Sequence, residues 1–315
     1  MGFERGRVVV VGGRGYVGGR VAEHLRAQSC DVRVTGRTPR PGPRHAAEVL
    51  DLMTDADSRV DEVLAGAGAV VNCVAHNENQ AAADPEGAAK VAVAAAGRLG
   101  EAVVRLKVPR LLHLSTVHVY GTFEGDMDED TEVRPTHPYA VAHAAAERAV
   151  CAATGSSGQG VIVRLSNAVG PPVRPDVDRW TLVTNDLART WAETGALRLR
   201  SDGTARRDFV ALADVCRAVH HLLSGPTFLP RLLHVCSGVS RSVGEVAERM
   251  SRLTETISGV RAPVRRPPGA SASPAPPYHL SNARLLATGF RFLDCLDDEL
   301  ESLLVFAQKH FRPRS

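Results

Sequence analysis

Seven residues near the start of the chain, Gly12-Gly13-Arg14-Gly15-Tyr16-Val17-Gly18, have a composition and setting suited to phosphate. The β-branched run Val8–Val11 leads into them, and apolar Val17, Val21 and Leu25 follow at helical spacing. Strand, tight turn and helix in that order place free N–H groups at the helix start. The glycines permit the turn and the close approach of a pyrophosphate. The run fits GxxGxxG through Gly12, Gly15 and Gly18, and GxGxxG through Gly13, Gly15 and Gly18, so spacing alone does not choose a dehydrogenase class. A bound dinucleotide is expected here, with Tyr16 and Val17 at the helix start beside it. At the end of the second strand a carboxylate would bind the ribose 2′-OH of NAD, whereas an arginine accommodates the 2′-phosphate of NADP. Val34-Thr35-Gly36-Arg37 offers no carboxylate and one arginine, Arg40 follows, and Arg14 sits inside the loop. A planar guanidinium holds phosphate bidentately. The reading therefore favours NADP(H), with NAD(H) as the alternative.

The elements that must position this loop alternate. Strands are expected at Arg7–Val11, Asp31–Thr35, Glu48–Leu50, Ala69–Val74, Arg110–Ser115 and Gly160–Leu165, and helices at Gly15–Ala27, Ala83–Leu106 and Tyr139–Ala153. Such alternation implies a parallel sheet covered on both faces. The fold class is thus α/β, a Rossmann-type doubly wound parallel sheet with a smaller C-terminal substrate-binding lobe. The second half is less regular. Helices are expected at Trp180–Glu193, Leu212–Leu223, Ser242–Thr256, Ser281–Thr288 and Leu296–His310, a strand at Leu232–Cys236, and an exposed loop at Arg266–Pro277. This places the dinucleotide-binding domain at 1–166 with 208–236 returning to it, and the lobe at 167–207 and 237–315.

Composition excludes several classes. With 315 residues, 44% hydrophobic and 23% charged, the chain is that of an ordinary globular protein. A net charge of +3 with dispersed basic residues argues against nucleic acid. No apolar run approaches the roughly 20 residues of a membrane helix. No signal segment is visible, so a cytoplasmic location is expected. The six cysteines form no CxxC pattern, which implies no metal site and reduced, mostly buried thiols.

Further motifs arrive in one order. They are Asp51-Leu52, Val70–Ala75, Leu114-Ser115-Thr116-Val117-His118-Val119-Tyr120-Gly121, and Pro138-Tyr139 with His143 and Glu147. Arg164, Asn167, Val169, Gly170 and Pro171 come next, then Gly203-Thr204, Arg207-Asp208-Phe209-Val210 and Asp214-Val215. Together, from about Val8 to Phe292, they resemble the extended short-chain dehydrogenase/reductase family of nucleotide-sugar epimerases, dehydratases and ketoreductases. The segments Val70–His76, Asp84-Pro85-Glu86 and Asp202–Asp208 look like deoxysugar 4-ketoreductases. The resemblance implies that Asp51 and Leu52 contact adenine and that Val74 and Ala75 line the cofactor trench. It makes Thr116 the hydroxyl that binds the reacting oxygen and Tyr139 the general acid/base. Asn167 and Arg207 would meet the substrate, Arg207 at a diphosphate. Both should line a cleft with the segment Pro172–Arg179. By the same analogy the chain pairs as a homodimer through the helices around Ala83–Leu106 and Tyr139–Ala153.

Two positions depart from the family. The helix motif YxxxK reads Tyr139 to His143 here. Positions i and i+4 share a face, so His143 is expected to clamp the nicotinamide ribose by a hydrogen bond. An unperturbed imidazole, titrating near ~6.5, gives a phenol of pKa ~10 little electrostatic help at neutral pH. That handicap falls least on ketone reduction, where Tyr139 starts as the neutral phenol. Val117-His118 also lacks the Asp-Glu pair of the 4,6-dehydratases, which argues against that reaction; His118 reads as a loop or packing residue. The leading expectation is an NADP(H)-dependent ketoreductase acting on a nucleotide-activated keto-deoxysugar or related polar ketone. The alternatives are an NAD-dependent nucleotide-sugar epimerase and a non-catalytic NADP-binding regulator.

Overall fold

A computed structural model describes residues 6–38, 48–225, 229–267 and 275–313. The first half builds β1 (Arg7–Val11), α1 (Tyr16–Ala27), β2 (Val32–Gly36), β3 (Glu48–Val49), α2 (Asp57–Leu64), β4 (Ala67–Asn72), α3 (Glu78–Ala83), α4 (Pro85–Arg105), β5 (Leu111–Thr116), β6 (Gly125–Met127) and α5 (Pro138–Thr154). It continues with β7 (Gly160–Leu165), β8 (Asn167–Val169), α6 (Val183–Thr194), β9 (Leu197–Arg198), β10 (Arg206–Ala211), α7 (Leu212–Ser224), β11 (Leu232–Val235), β12 (Ser240–Ser242), α8 (Val243–Ser258), β13 (Val264–Arg265), β14 (Tyr278–Leu280), α9 (Ala283–Ala287) and α10 (Leu296–Phe311).

Seven strands form a parallel sheet in the order β11-β7-β5-β4-β1-β2-β3. The four valines of β1 are fully buried because helices cover both faces of the sheet. Val8, Val10, Val71 and Val163 pack under α1 and α7 on one side. Val9, Val11, Val70 and Leu111 pack under α2, α4 and α5 on the other. The order reverses between β2 and β4, so the crevice beyond the ends of β1 and β4 is the topological switch point where doubly wound sheets bind ligands. A second core, around Trp191, Phe209, Met250 and Leu300, joins α6, α8 and α10 over the three-stranded sheet β12-β10-β8.

Some expected elements change. The expected helix Ala83–Leu106 is α4 and starts at Pro85, because Asp84 ends the separate helix α3 and its carboxylate then accepts from Gly87 N–H at 2.9 Å to cap α4, with Pro85 at the first helical position. The expected helix at Trp180 starts at Val183; Trp180 stays in the preceding loop, its indole N–H on the Pro175 carbonyl at 2.9 Å. The expected helix Ser281–Thr288 shortens to Ala283–Ala287. Strands β6, β8, β9, β10, β12, β13 and β14 and helices α2 and α3 carry no expectation of their own. Most of these strands are two or three residues long, and their pairing is supplied by distant partners. Arg40 and residues 268–274 of the expected loop lie outside the described residues. The cysteines are free, but only Cys216 and Cys236 are buried and Cys151 is exposed, so the thiols are less enclosed than expected. Among the described residues no helix is long and apolar enough to cross a membrane, and no three His, Cys, Asp or Glu side chains are grouped to hold a metal.

Candidate active site

The glycine loop closes against the end of β4. Gly12 has φ +75°, and a Cβ there would come within 3.1 to 3.2 Å of the Cys73 carbonyl group and Val74 N. A Cβ at Gly18 would lie 2.7 Å from the Gly12 carbonyl oxygen, so only glycine lets α1 pack this close to the loop. Gly15, by contrast, is exposed at the N-cap of α1, and a Cβ there would meet only the Gly12 oxygen, at 3.4 Å. The result is an open cradle at a helix start whose first N–H groups lack intrahelical partners. A dinucleotide pyrophosphate fits it. Val74 is half-buried and Ala75 exposed at the rim formed by β4. Asp51 caps its own turn by accepting from Met53 N–H at 2.9 Å, and the buried Leu52 presents its carbonyl to Arg98 at 2.6 Å.

The end of β2 carries positive charge. The Arg14 side chain folds across Gly36, where a Cβ would overlap it, and donates to the Thr38 carbonyl. Arg37 is exposed and makes no hydrogen bond or ion pair among the described residues.

From this loop a cleft of about 450 Å³ runs between the sheet and the lobe. Tyr16 and Val17 form its near wall. The Tyr16 hydroxyl is committed elsewhere, donating to the Gly170 carbonyl at 2.6 Å, so its side chain ties the loop to the lobe. Thr116, Tyr139, Asn167 and Arg207 all line the cleft. Thr116 is the last residue of β5. Its Oγ1 accepts from His118 N–H at 3.2 Å, which leaves its own hydrogen free to donate. Tyr139 sits in the first turn of α5, after Pro138, with its N–H on the His137 ring nitrogen at 3.2 Å. Asn167 and Arg207 meet because β8 and β10 pair in parallel; Arg207 Nη1 lies 3.5 Å from Asn167 Oδ1.

Burial pushes the Tyr139 phenol above its ordinary value. The Arg179 guanidinium and the Thr116 hydroxyl draw it down again, while the Glu78 carboxylate raises it. At neutral pH the group is a protonated phenol. His118 also lines the cleft, its ring centroid 6.5 Å from that of Tyr139, and burial lowers its pKa. The packing role expected for it is therefore combined with a place in the cleft wall.

His143 differs from the clamp expectation. Its ring packs edge-on against Tyr139 with centroids 4.5 Å apart, is 6% exposed and does not line the cleft. Its Nε2 is enclosed without a hydrogen-bond partner. Burial, and then the neighbouring His113, Arg179 and His118, hold its pKa down to about 3. The imidazole at position 143 is therefore neutral at neutral pH.

Arg179 and Glu78 were not singled out as site residues. Of the segment Pro172–Arg179, only Arg179 reaches the cleft, and it is paired there with Glu78 of α3 at 2.5 Å. No local pattern marks either residue, because the two are 101 positions apart.

Residues 8–231 match the model of the NAD dependent epimerase/dehydratase family. The chain belongs to this family. Like its other members it is an NAD(P)-dependent enzyme with the extended short-chain dehydrogenase/reductase architecture. It is 30% identical over 276 residues to the dTDP-6-deoxy-L-talose 4-dehydrogenase (NAD(P)(+)) of Kitasatospora kifunensis, covering 82% of this chain and 83% of that one. It is 29% identical over 263 residues to a dTDP-glucose 4,6-dehydratase of Streptomyces niveus, covering 78% and 76%. Among solved structures, MoeE5 in complex with UDP-glucose and NAD superposes with a TM-score of 0.77 at 25% identity, covering 96% of this chain and 99% of that one.

Proposed function

We propose that the chain is an NADP(H)-dependent ketoreductase acting on a nucleotide-activated keto-deoxysugar or related polar ketone. The observation that carries the reading is the protonated Tyr139 phenol beside the Thr116 hydroxyl in the wall of the cleft. That set is prepared to give a proton. In this reading 1–166 with 208–236 carries the dinucleotide and 167–207 with 237–315 the substrate. Gly12, Gly15, Gly18 and the start of α1 would hold the pyrophosphate, Asp51 and Leu52 the adenine, and Arg14 and Arg37 a 2′-phosphate. A reduced nicotinamide bound there supplies a hydride to a carbonyl carbon. Thr116 donates a hydrogen bond to the carbonyl oxygen and orients it. Tyr139 then breaks its O–H bond and delivers the proton to that oxygen. Arg207, steadied by Asn167, meets the diphosphate of the substrate. Valines 93, 104 and 141 stay exposed on α4 and α5, which supports pairing of two copies through these helices.

The test is a cofactor absorbance assay with a nucleoside-diphosphate keto-deoxysugar. The reading expects NADPH to be consumed in step with product. Tyr139→Phe should lower turnover by about 10²–10⁴-fold and leave the NADPH dissociation constant unchanged. Product without net cofactor change would assign an epimerase instead, and cofactor binding with no turnover of any ketone would assign a regulator.

A further inference from the structure

A phenol that gives up its proton in a buried cleft leaves an anion there, and something must stabilise it. The side chains facing Tyr139 come from five elements. His143 lies on its own helix and His137 caps that helix. Thr116 ends β5, and His118 sits in the turn Val117–Tyr120. Glu78 begins α3, Arg179 comes from the loop before α6, and both line the same cleft as Tyr139. Burial keeps His143 and His118 neutral. Arg179 is thus the permanent cation of this set.

Its position is built. The Glu78 carboxylate accepts from Arg179 Nη1 at 2.5 Å. One residue earlier on both sides, Asn77 Nδ2 donates to Asp178 Oδ2 at 3.0 Å. From behind, Asn185 Nδ2 of α6 donates to the Arg179 carbonyl at 3.0 Å. Two parallel contacts therefore strap Asp178-Arg179 to Asn77-Glu78 beside the cleft, and the Arg179 side chain is 21% exposed.

We propose that Arg179, oriented by Glu78, is the positioning residue that supplies the fixed positive charge for proton transfer by Tyr139, from the lobe rather than from position 143 of the tyrosine's own helix. The inference rests on Tyr139 being the proton donor. When the Tyr139 O–H bond breaks and its proton goes to the substrate oxygen, the electron pair left on the phenolate oxygen faces the guanidinium. Because the charge sits on the lobe, proton transfer is coupled to the seating of the loop before α6 against α3. An opposite charge at close range favours the ionised form of a phenol by about 1–3 pH units.

The experiment uses the free protein, without substrate or cofactor, so it succeeds or fails independently of ketoreductase activity. The four tyrosines are labelled with ¹³C at Cζ, Tyr139 is assigned through Tyr139→Phe, and its ionisation is followed by NMR. Arg179→Met should raise the Tyr139 midpoint by about one unit or more, a tenfold change in its acid constant. Arg179→Lys, which keeps the charge, should restore most of the difference. Glu78→Gln should lower the midpoint, because it removes the anion that opposes the phenolate. A purely structural strap would respond in the same sense to loss of either partner. Equal midpoints in wild type and Arg179→Met would overturn the proposal. So would shifts of the same sign in Arg179→Met and Glu78→Gln, or a wild-type Tyr139 that stays protonated up to alkaline unfolding.

Discussion

Acidification should destabilise this protein steeply above pH 5, and the cause is three buried neutral histidines. Burial lowers His143 to about 3, His113 to about 4 and His234 to about 4. Each is held neutral in the fold but takes up a proton near ~6.5 once unfolded. The unfolded chain therefore binds more protons, and stability rises with pH. The contribution is complete above ~6.5 and is lost as pH falls through the window from ~6.5 towards the folded values of about 4 and about 3. At pH 5 each unfolded imidazole lies ~1.5 units below its midpoint, so each costs about 2 kcal/mol at ~1.4 kcal/mol per unit. This figure depends little on the folded pKa values, provided they stay below 5. The three together remove roughly 5–6 kcal/mol, against a net stability on the order of 5–15 kcal/mol for a folded domain. Glu129 and Asp208, whose pKa values burial raises, act in the opposite sense and return part of the loss. Urea unfolding at pH 7 and pH 5 measures the difference. His143→Phe keeps a ring against Tyr139 but removes one titrating group, so its loss between the two pH values should be smaller by about 2 kcal/mol. An unchanged loss in His143→Phe would refute the assignment of position 143 as a dry, uncharged site, and with it the account of why a cation is needed from elsewhere.

Two further outcomes are expected from ligand titrations. NADPH should bind about tenfold or more tightly than NADH, since a charge-assisted bond contributes about 1.5–3 kcal/mol, and Arg37→Ala should erase most of the difference; equal constants in wild type would remove the preference. Arg207→Ala should weaken a nucleoside diphosphate by a similar factor while leaving NADPH within about twofold; equal weakening of both ligands would make Arg207 a support of β10 rather than a substrate contact.

The sequence by itself determined what local chemistry encodes. The glycine loop was legible because a turn at positive φ and a close helix packing each demand glycine within seven residues. Tyr139 and Thr116 were legible through the family's motifs, which place one at a helix start after a proline and the other at the end of a buried strand. Asn167 and Arg207 could be named from motifs, but their 3.5 Å meeting depends on the pairing of β8 with β10. What only the tertiary structure decided is the electrostatics around the phenol. The residue four places after Tyr139 could be read as histidine, but not as one with its pKa near 3, because desolvation is set by the sheet and helices packed around it. The cation that faces Tyr139 comes from Arg179, which is 40 residues away in the chain and held by a glutamate 101 residues from it. Charge acts through space, and neither hydrophobic periodicity nor motif spacing records which distant side chains the fold brings within its reach.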